Sequence, residues 1–148
     1  MQPYSTITTD SIQHEQETSQ GIFIKLFEEQ VRANPNGDAV VFGNNCWSYD
    51  ALDKISNKLS NFLRAEYQVG EGTLVGIIVE RSDLTVISML AVLKAGAAFV
   101  PVDPNSPAQR VSYLVRDTNM SVLLLQSSRM FDLQDIECPL FALDLQLD

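Results

Sequence analysis

The stretch LKAGAAFVPVDP, residues 93–104, decides how this chain is read. Small residues around Gly96 sit between an apolar helical pattern and a short apolar run that ends at Asp103 and Pro104. Two structures use such a turn: a glycine loop that cradles a phosphate, and a helix-to-strand junction in an α/β sheet. Phosphate cradles place their glycines after a strand and before a helix, so that the helix N-terminus points at the anion. Here the order is reversed. The helix comes first, Gly96 stops it in a left-handed conformation, and a strand follows. Lys94 then lies in the last helical turn, where a cation opposes the negative end of the helix dipole and is not aimed at a ligand.

Working outward, LVGIIVE (residues 74–80) is a continuous apolar run too short for an ordinary helix and typical of a parallel strand covered on both faces. Ser82 stands at the N-cap of the next helix, with Asp83 just inside it. That helix and the strand at residues 97–102 complete a βαβ unit. The helix is apolar nearly all round, through Val86, Ile87, Met89, Leu90, Val92 and Leu93, so one sheet face cannot hide it. Downstream, SPAQRVSYLVRDT (residues 106–118) opens as a capping box, with Ser106 as the cap, Pro107 in the first helical position and Gln109 reaching back. SVLLLQ (residues 121–126) is a further buried strand, and LFALDL (residues 140–145) one more.

Upstream, IFIKLFEEQVRANP (residues 22–35) places Phe23, Leu26, Phe27 and Val31 on one helical stripe and stops at Asn34 and Pro35. AVVF (residues 39–42) and CWS (residues 46–48) flank a GNN turn and pair as a hairpin. Ser48 caps the next helix, whose inner face is Leu52, Ile55, Leu59, Phe62 and Leu63. Its end falls at QVGEGT (residues 68–73), with two glycines. Residues 1–20 are polar and aperiodic and are expected to form a disordered leader, leaving residues 21–148 as the domain.

Composition narrows function by exclusion. Hydrophobic residues make up 45% of the 148 and charged residues 20%, as in globular domains. A net charge of −9 argues against nucleic acid and against an anionic membrane surface. No signal-peptide pattern and no membrane-length apolar segment is present, so a cytoplasmic location is expected. Cys46 and Cys138 lack the neighbours of a zinc site, and no secretion signal supports a disulfide. His14, the only histidine, sits in the leader, where no rigid neighbourhood positions it for catalysis. Asp103 at a strand end has the place of a ribose-binding carboxylate, but Asp before Pro more often serves a turn. Arg81 has the place of a ligand contact and also that of a solvated residue beside a cap. Trp47 and Tyr49 read as core aromatics. No catalytic, cofactor-binding or metal residue is assigned.

The motifs resemble the N-terminal end of adenylate-forming (AMP-binding) enzymes, especially adenylation domains of nonribosomal peptide synthetases. LKAGAAFVPVDP is similar to that family's L-K-A-G-x-A-Y-V-P-[IL]-D element, with Phe99 for Tyr and Val102 for Ile or Leu. WSYDAL (residues 47–52) resembles its L-[TS]-Y-x-E-L element, with Trp47 for Leu and Ala51 for Glu. The likeness runs from about Phe23 to about Ser128. It implies an α/β fold of βαβ units with a mainly parallel sheet, an incomplete first part of the adenylation domain's large subdomain. In the complete family domain, ATP and Mg activate a carboxylate as its adenylate. The Ser/Thr/Gly-rich phosphate loop, the adenine and ribose elements and the catalytic lysine are not found in this sequence. The resemblance therefore implies a truncated adenylation domain from secondary-metabolite biosynthesis, inactive alone and binding no cofactor by itself. The implied partners are the remainder of an adenylation domain or a synthetase, with self-association a further expectation. A freestanding interaction or regulatory module, a piece of a split adenylation domain, and an acyl-CoA ligase fragment are the alternatives.

Overall fold

In the computed structural model, which describes residues 19–147, the chain runs through α1 (Ser19–Ala33), β1 (Asp38–Phe42), β2 (Asn45–Ser48), α2 (Tyr49–Tyr67), β3 (Leu74–Ile78) and α3 (Asp83–Lys94). It continues through β4 (Ala98–Pro101), α4 (Ala108–Thr118), β5 (Val122–Leu125), a 3-10 turn at Ser127–Arg129, β6 (Leu140–Ala142) and α5 (Leu143–Gln146). The sheet is parallel throughout, in the order β4-β3-β5-β6, and β1 and β2 form a separate antiparallel hairpin. The leader's residues up to 18, His14 included, lie outside the described residues. Ser19 and Gln20, read as leader, already belong to α1.

The apolar runs at β3 and β5 lack alternation because both sheet faces are covered. Val75, Ile77, Val122 and Leu124 point into one core with Leu59 and Leu63 of α2 and Ile87 and Leu90 of α3. Ile78, Leu123 and Leu125 point into the other, with Val111 and Val115 of α4 and with Leu133. Each such side chain contributes on the order of 1.5–3 kcal/mol relative to an exposed one. Helix α3, expected to need cover beyond one sheet, receives it from within: α2 packs along it, and α1 and β1 touch it.

Several local expectations are corrected. On α1 the inward residues are Ile24 and Phe27, with Val31 half-buried, whereas Phe23 is 51% and Leu26 56% exposed. The helix is apolar over more of its circumference than it buries. Gln20 sets its roll by donating to the carbonyls of Leu93 (2.9 Å) and Ala97 (3.0 Å), a tie across the fold that no local pattern reveals. Ser106 caps nothing: α4 begins at Ala108 with Pro107 at the cap position and no side-chain cap bond. Ser106 is buried instead, its carbonyl accepting from Arg129 at 2.8 Å. Ser82 stands at the α3 cap position, but its hydroxyl donates to the Glu80 carbonyl. The strand expected over residues 140–145 ends at Ala142, where α5 takes over.

Two helix ends differ in an instructive way. At α3, Gly96 has φ +86°, its N–H bonds Leu93 (3.0 Å) and the Ala97 N–H bonds Val92 (3.2 Å), the paired bonds of a left-handed stop. At α2 the glycines expected to close the helix lie too far along, and Gln68 takes the left-handed position with φ 53°.

Candidate functional site

Open parallel sheets place ligands at the carboxyl ends of their strands, often against helix N-termini. In this sheet those ends carry Glu80 and Arg81 after β3, Val102 and Asp103 after β4, Gln126 and Ser127 after β5, and Asp144 after β6. Four of the six polar side chains there, Asp103, Gln126, Ser127 and Asp144, are spent on the fold. The Glu80 N–H donates to Gln126 Oε1 at 2.9 Å, and the Asp103 carboxylate accepts the Asn105 N–H at 2.8 Å. Asp103 is thus the turn residue that Asp-Pro suggests. Asp144 accepts from the Ser127 N–H and hydroxyl, both at 2.7 Å. Burial alone would raise the Asp144 carboxyl, but these bonds outweigh it and hold it below the usual value. Arg81 lies exposed beside the α3 N-terminus.

The α3 N-terminus at this edge already carries an anion of its own. Asp83 opens α3, buried to 8% exposure, with its carboxylate accepting from Trp47 Nε1 at 2.7 Å and Asn45 Nδ2 at 3.2 Å. A phosphate arriving there meets a like charge already locked in place. At α4 the cap residue Pro107 has no N–H, and the Arg110 N–H is bonded to the Pro107 carbonyl at 2.9 Å. Among the described residues no group of three His, Cys, Asp or Glu side chains could hold a metal ion.

The most polar buried centre lies at the opposite end of α3. Lys94 Nζ reaches Asp53 Oδ1 at 2.7 Å, Ser56 Oγ and Asn57 Oδ1 at 2.8 Å, and stands 5.1 Å from the centre of the Phe27 ring. It joins α1, α2 and α3, so its work is structural and larger than the dipole role read from its position. Trp47 is half-buried, and the Tyr49 ring lies 6.1 Å from that of Phe27. Both cysteines are free. Burial pushes the Cys138 thiol up to about 11, while a hydrogen bond to Asp38, followed by burial and the Asp38 charge, raises Cys46. The Asp83 latch was missed in the sequence. Its one signal was Trp47, whose N–H needs an acceptor when the ring is buried.

The AMP-binding enzyme family matches residues 27–142, which is most of the chain. The chain belongs to that family. Its relatives place it among the synthetases: it is 48% identical over 102 residues to tyrocidine synthase 3 of Brevibacillus parabrevis, covering 69% of this chain and 2% of that protein. It is 40% identical over 121 residues to zwittermicin A synthase ZmaJ of Bacillus cereus, covering 81% of this chain and 23% of that protein. The fold agrees: the nonribosomal peptide synthetase FmoA3 superposes with a TM-score of 0.77 at 29% identity, over 84% of this chain and 14% of that one. The N-terminal subdomain of Klebsiella oxytoca NpsA superposes with a TM-score of 0.73 at 23% identity, over 84% of this chain and 31% of that subdomain. The four-stranded parallel sheet is thus the start of an adenylation domain's N-terminal subdomain, and the chain spans only a small part of the relatives it matches. Among the described residues, no helix is long and apolar enough to cross a membrane.

Proposed function

We propose that this chain is the opening scaffold of a peptide-synthetase adenylation subdomain, which supports ATP-dependent carboxylate activation only together with the remainder of that domain and is inert by itself. The observation that carries the reading is the carboxyl edge of the sheet, where Asp83 occupies the α3 N-terminus and Asp103, Gln126 and Asp144 are engaged in the fold's own bonds. Such an edge supports strands and leaves nucleotide binding to other segments. On this reading the chain alone binds neither ATP nor Mg, acts in the cytoplasm, and works as one piece of a larger synthetase. Identity to synthetases at 40–48% favours that parent over an acyl-CoA ligase.

The test is amino-acid-dependent exchange of pyrophosphate into ATP by the purified chain, across a panel of amino and aryl acids. Background exchange is expected throughout. Clear exchange with any acid sinks the scaffold reading.

A further inference from the structure

The far edge of the sheet differs from the near one. At the near edge, β4 ends in Pro101, which has no N–H to offer an incoming strand. At the far edge, β6 pairs only with β5 among the described residues. The Leu123 N–H donates to Pro139 O at 2.9 Å, so by the alternation of a parallel ladder Phe141 also faces β5. Leu140 and Ala142 then turn their backbone groups to the open side. Beside this edge lies an apolar groove of about 350 Å³ lined by Lys58, Leu59, Phe62, Phe141, Gln146 and Leu147. Phe62 is 39% exposed and Leu145, on α5, 64% exposed. An unblocked parallel edge next to an apolar groove is a site for strand addition. Parallel sheets, moreover, are stable only when covered.

We infer that the β6 edge and the Phe62 groove form the docking face for the part of the adenylation subdomain that follows this segment in its relatives. That occupant is favoured because the NpsA N-terminal subdomain shares this fold while the chain accounts for 31% of its length, and because the blocked β4 edge leaves β6 as the side on which the sheet can grow. The inference rests on the scaffold reading and names the surface that reading requires.

The experiment co-expresses the full chain with the portion of the matched tyrocidine synthase 3 adenylation domain that lies downstream of the matched segment, and measures their association. Phe62→Asp places a charge in the groove and Leu145→Asp one on α5, which adjoins it through Gln146, both at exposed positions, and Tyr113→Asp, 67% exposed on α4 across the sheet, is the control. Thermal melts of each variant alone establish that it folds. The wild type and Tyr113→Asp should associate one to one with equal affinity, and each face variant should weaken association at least tenfold. Absence of association by the wild type, or equal binding by all four chains, overturns the assignment. So does sedimentation showing a dimer of the chain alone that Phe62→Asp disperses, which would give the face to a second copy. Pyrophosphate exchange by the isolated chain refutes the scaffold reading without changing these binding results, so the two failures are separable.

Discussion

Replacing Lys94 by Met distinguishes two accounts of the α3 C-terminus. As a cation near a helix end, Lys94 contributes about 0.3–1 kcal/mol, sensitive to salt. As a buried staple it contributes more. Its side chain is 6% exposed, its partner Asp53 is 24% exposed, and they meet at 2.7 Å. Methionine keeps most of the stem's packing but leaves Asp53 without a counter-charge and Asn57 Oδ1 without its donor. Removing one member of a buried pair typically costs about 3–5 kcal/mol, and solvent access at Asp53 argues for the lower end, about 3 kcal/mol. Losing the cation over Phe27 adds about 0.5 kcal/mol. The midpoint of thermal unfolding should fall by about 10 °C. Urea unfolding followed by circular dichroism, at low salt and at about 1 M salt, measures the loss. The staple predicts nearly the same loss at both, because the ion pair lies inside the protein where mobile ions screen little. Asp53→Leu combined with Lys94→Met should recover much of the stability, since an apolar pair needs no compensation. A loss under 1 kcal/mol that disappears in salt, or a double variant as unstable as the sum of the singles, refutes the staple.

Gln68→Gly should stabilise the chain by about 0.5–1 kcal/mol in urea titration, because glutamine at positive φ carries a steric cost that glycine avoids. Gly96→Ala should destabilise it by about 1 kcal/mol. The nearest atom to an added β-carbon, Glu71 N, is at an ordinary 3.7 Å, so the cost is one of backbone conformation rather than of clash. Cys138 should make stability fall between pH 9 and 11, since the native thiol keeps its proton to about 11 while the unfolded one ionises near 9.0. Its contribution is whole below that window and disappears as pH rises through it. Cys138→Ala should flatten this part of the pH profile in chemical unfolding, and an unchanged slope would count against burial of the thiol.

What could be read in advance follows the range of the forces involved. Apolar runs, the hairpin turn, the Ser48 cap and the Gly96 stop depend on neighbours a few residues away, and each stands where its pattern placed it; Ser48 Oγ accepts the Ala51 N–H at 3.2 Å. With the same local credentials, Ser82 holds the α3 cap position without a side-chain cap bond, and Ser106 does not hold its position at all. Ser82 has the Glu80 carbonyl within reach, and Ser106 is drawn under Arg129 from a segment 23 residues away. Capping is worth about 1 kcal/mol, small enough for one tertiary bond to move it. The strand expected at residues 140–145 failed for the same reason: Asp144 gains two bonds to Ser127 by turning into α5, which an extended chain would not place beside it.

That Gly96 ends a helix and leads into a strand was legible from the order of elements around it, but the holding of Asp83 at the α3 N-terminus was not. Asp83 read as an acid that suits a helix dipole, a role any surface carboxylate fills. Its burial comes from the hairpin, 36 residues earlier in the sequence as counted from Trp47, whose indole N–H must find an acceptor as the ring is covered. Once Trp47 and Asn45 hold that carboxylate, the hairpin is fastened to α3 and a negative charge stands at the positive end of the helix dipole. The one carboxylate therefore both joins the hairpin to α3 and complements the helix dipole.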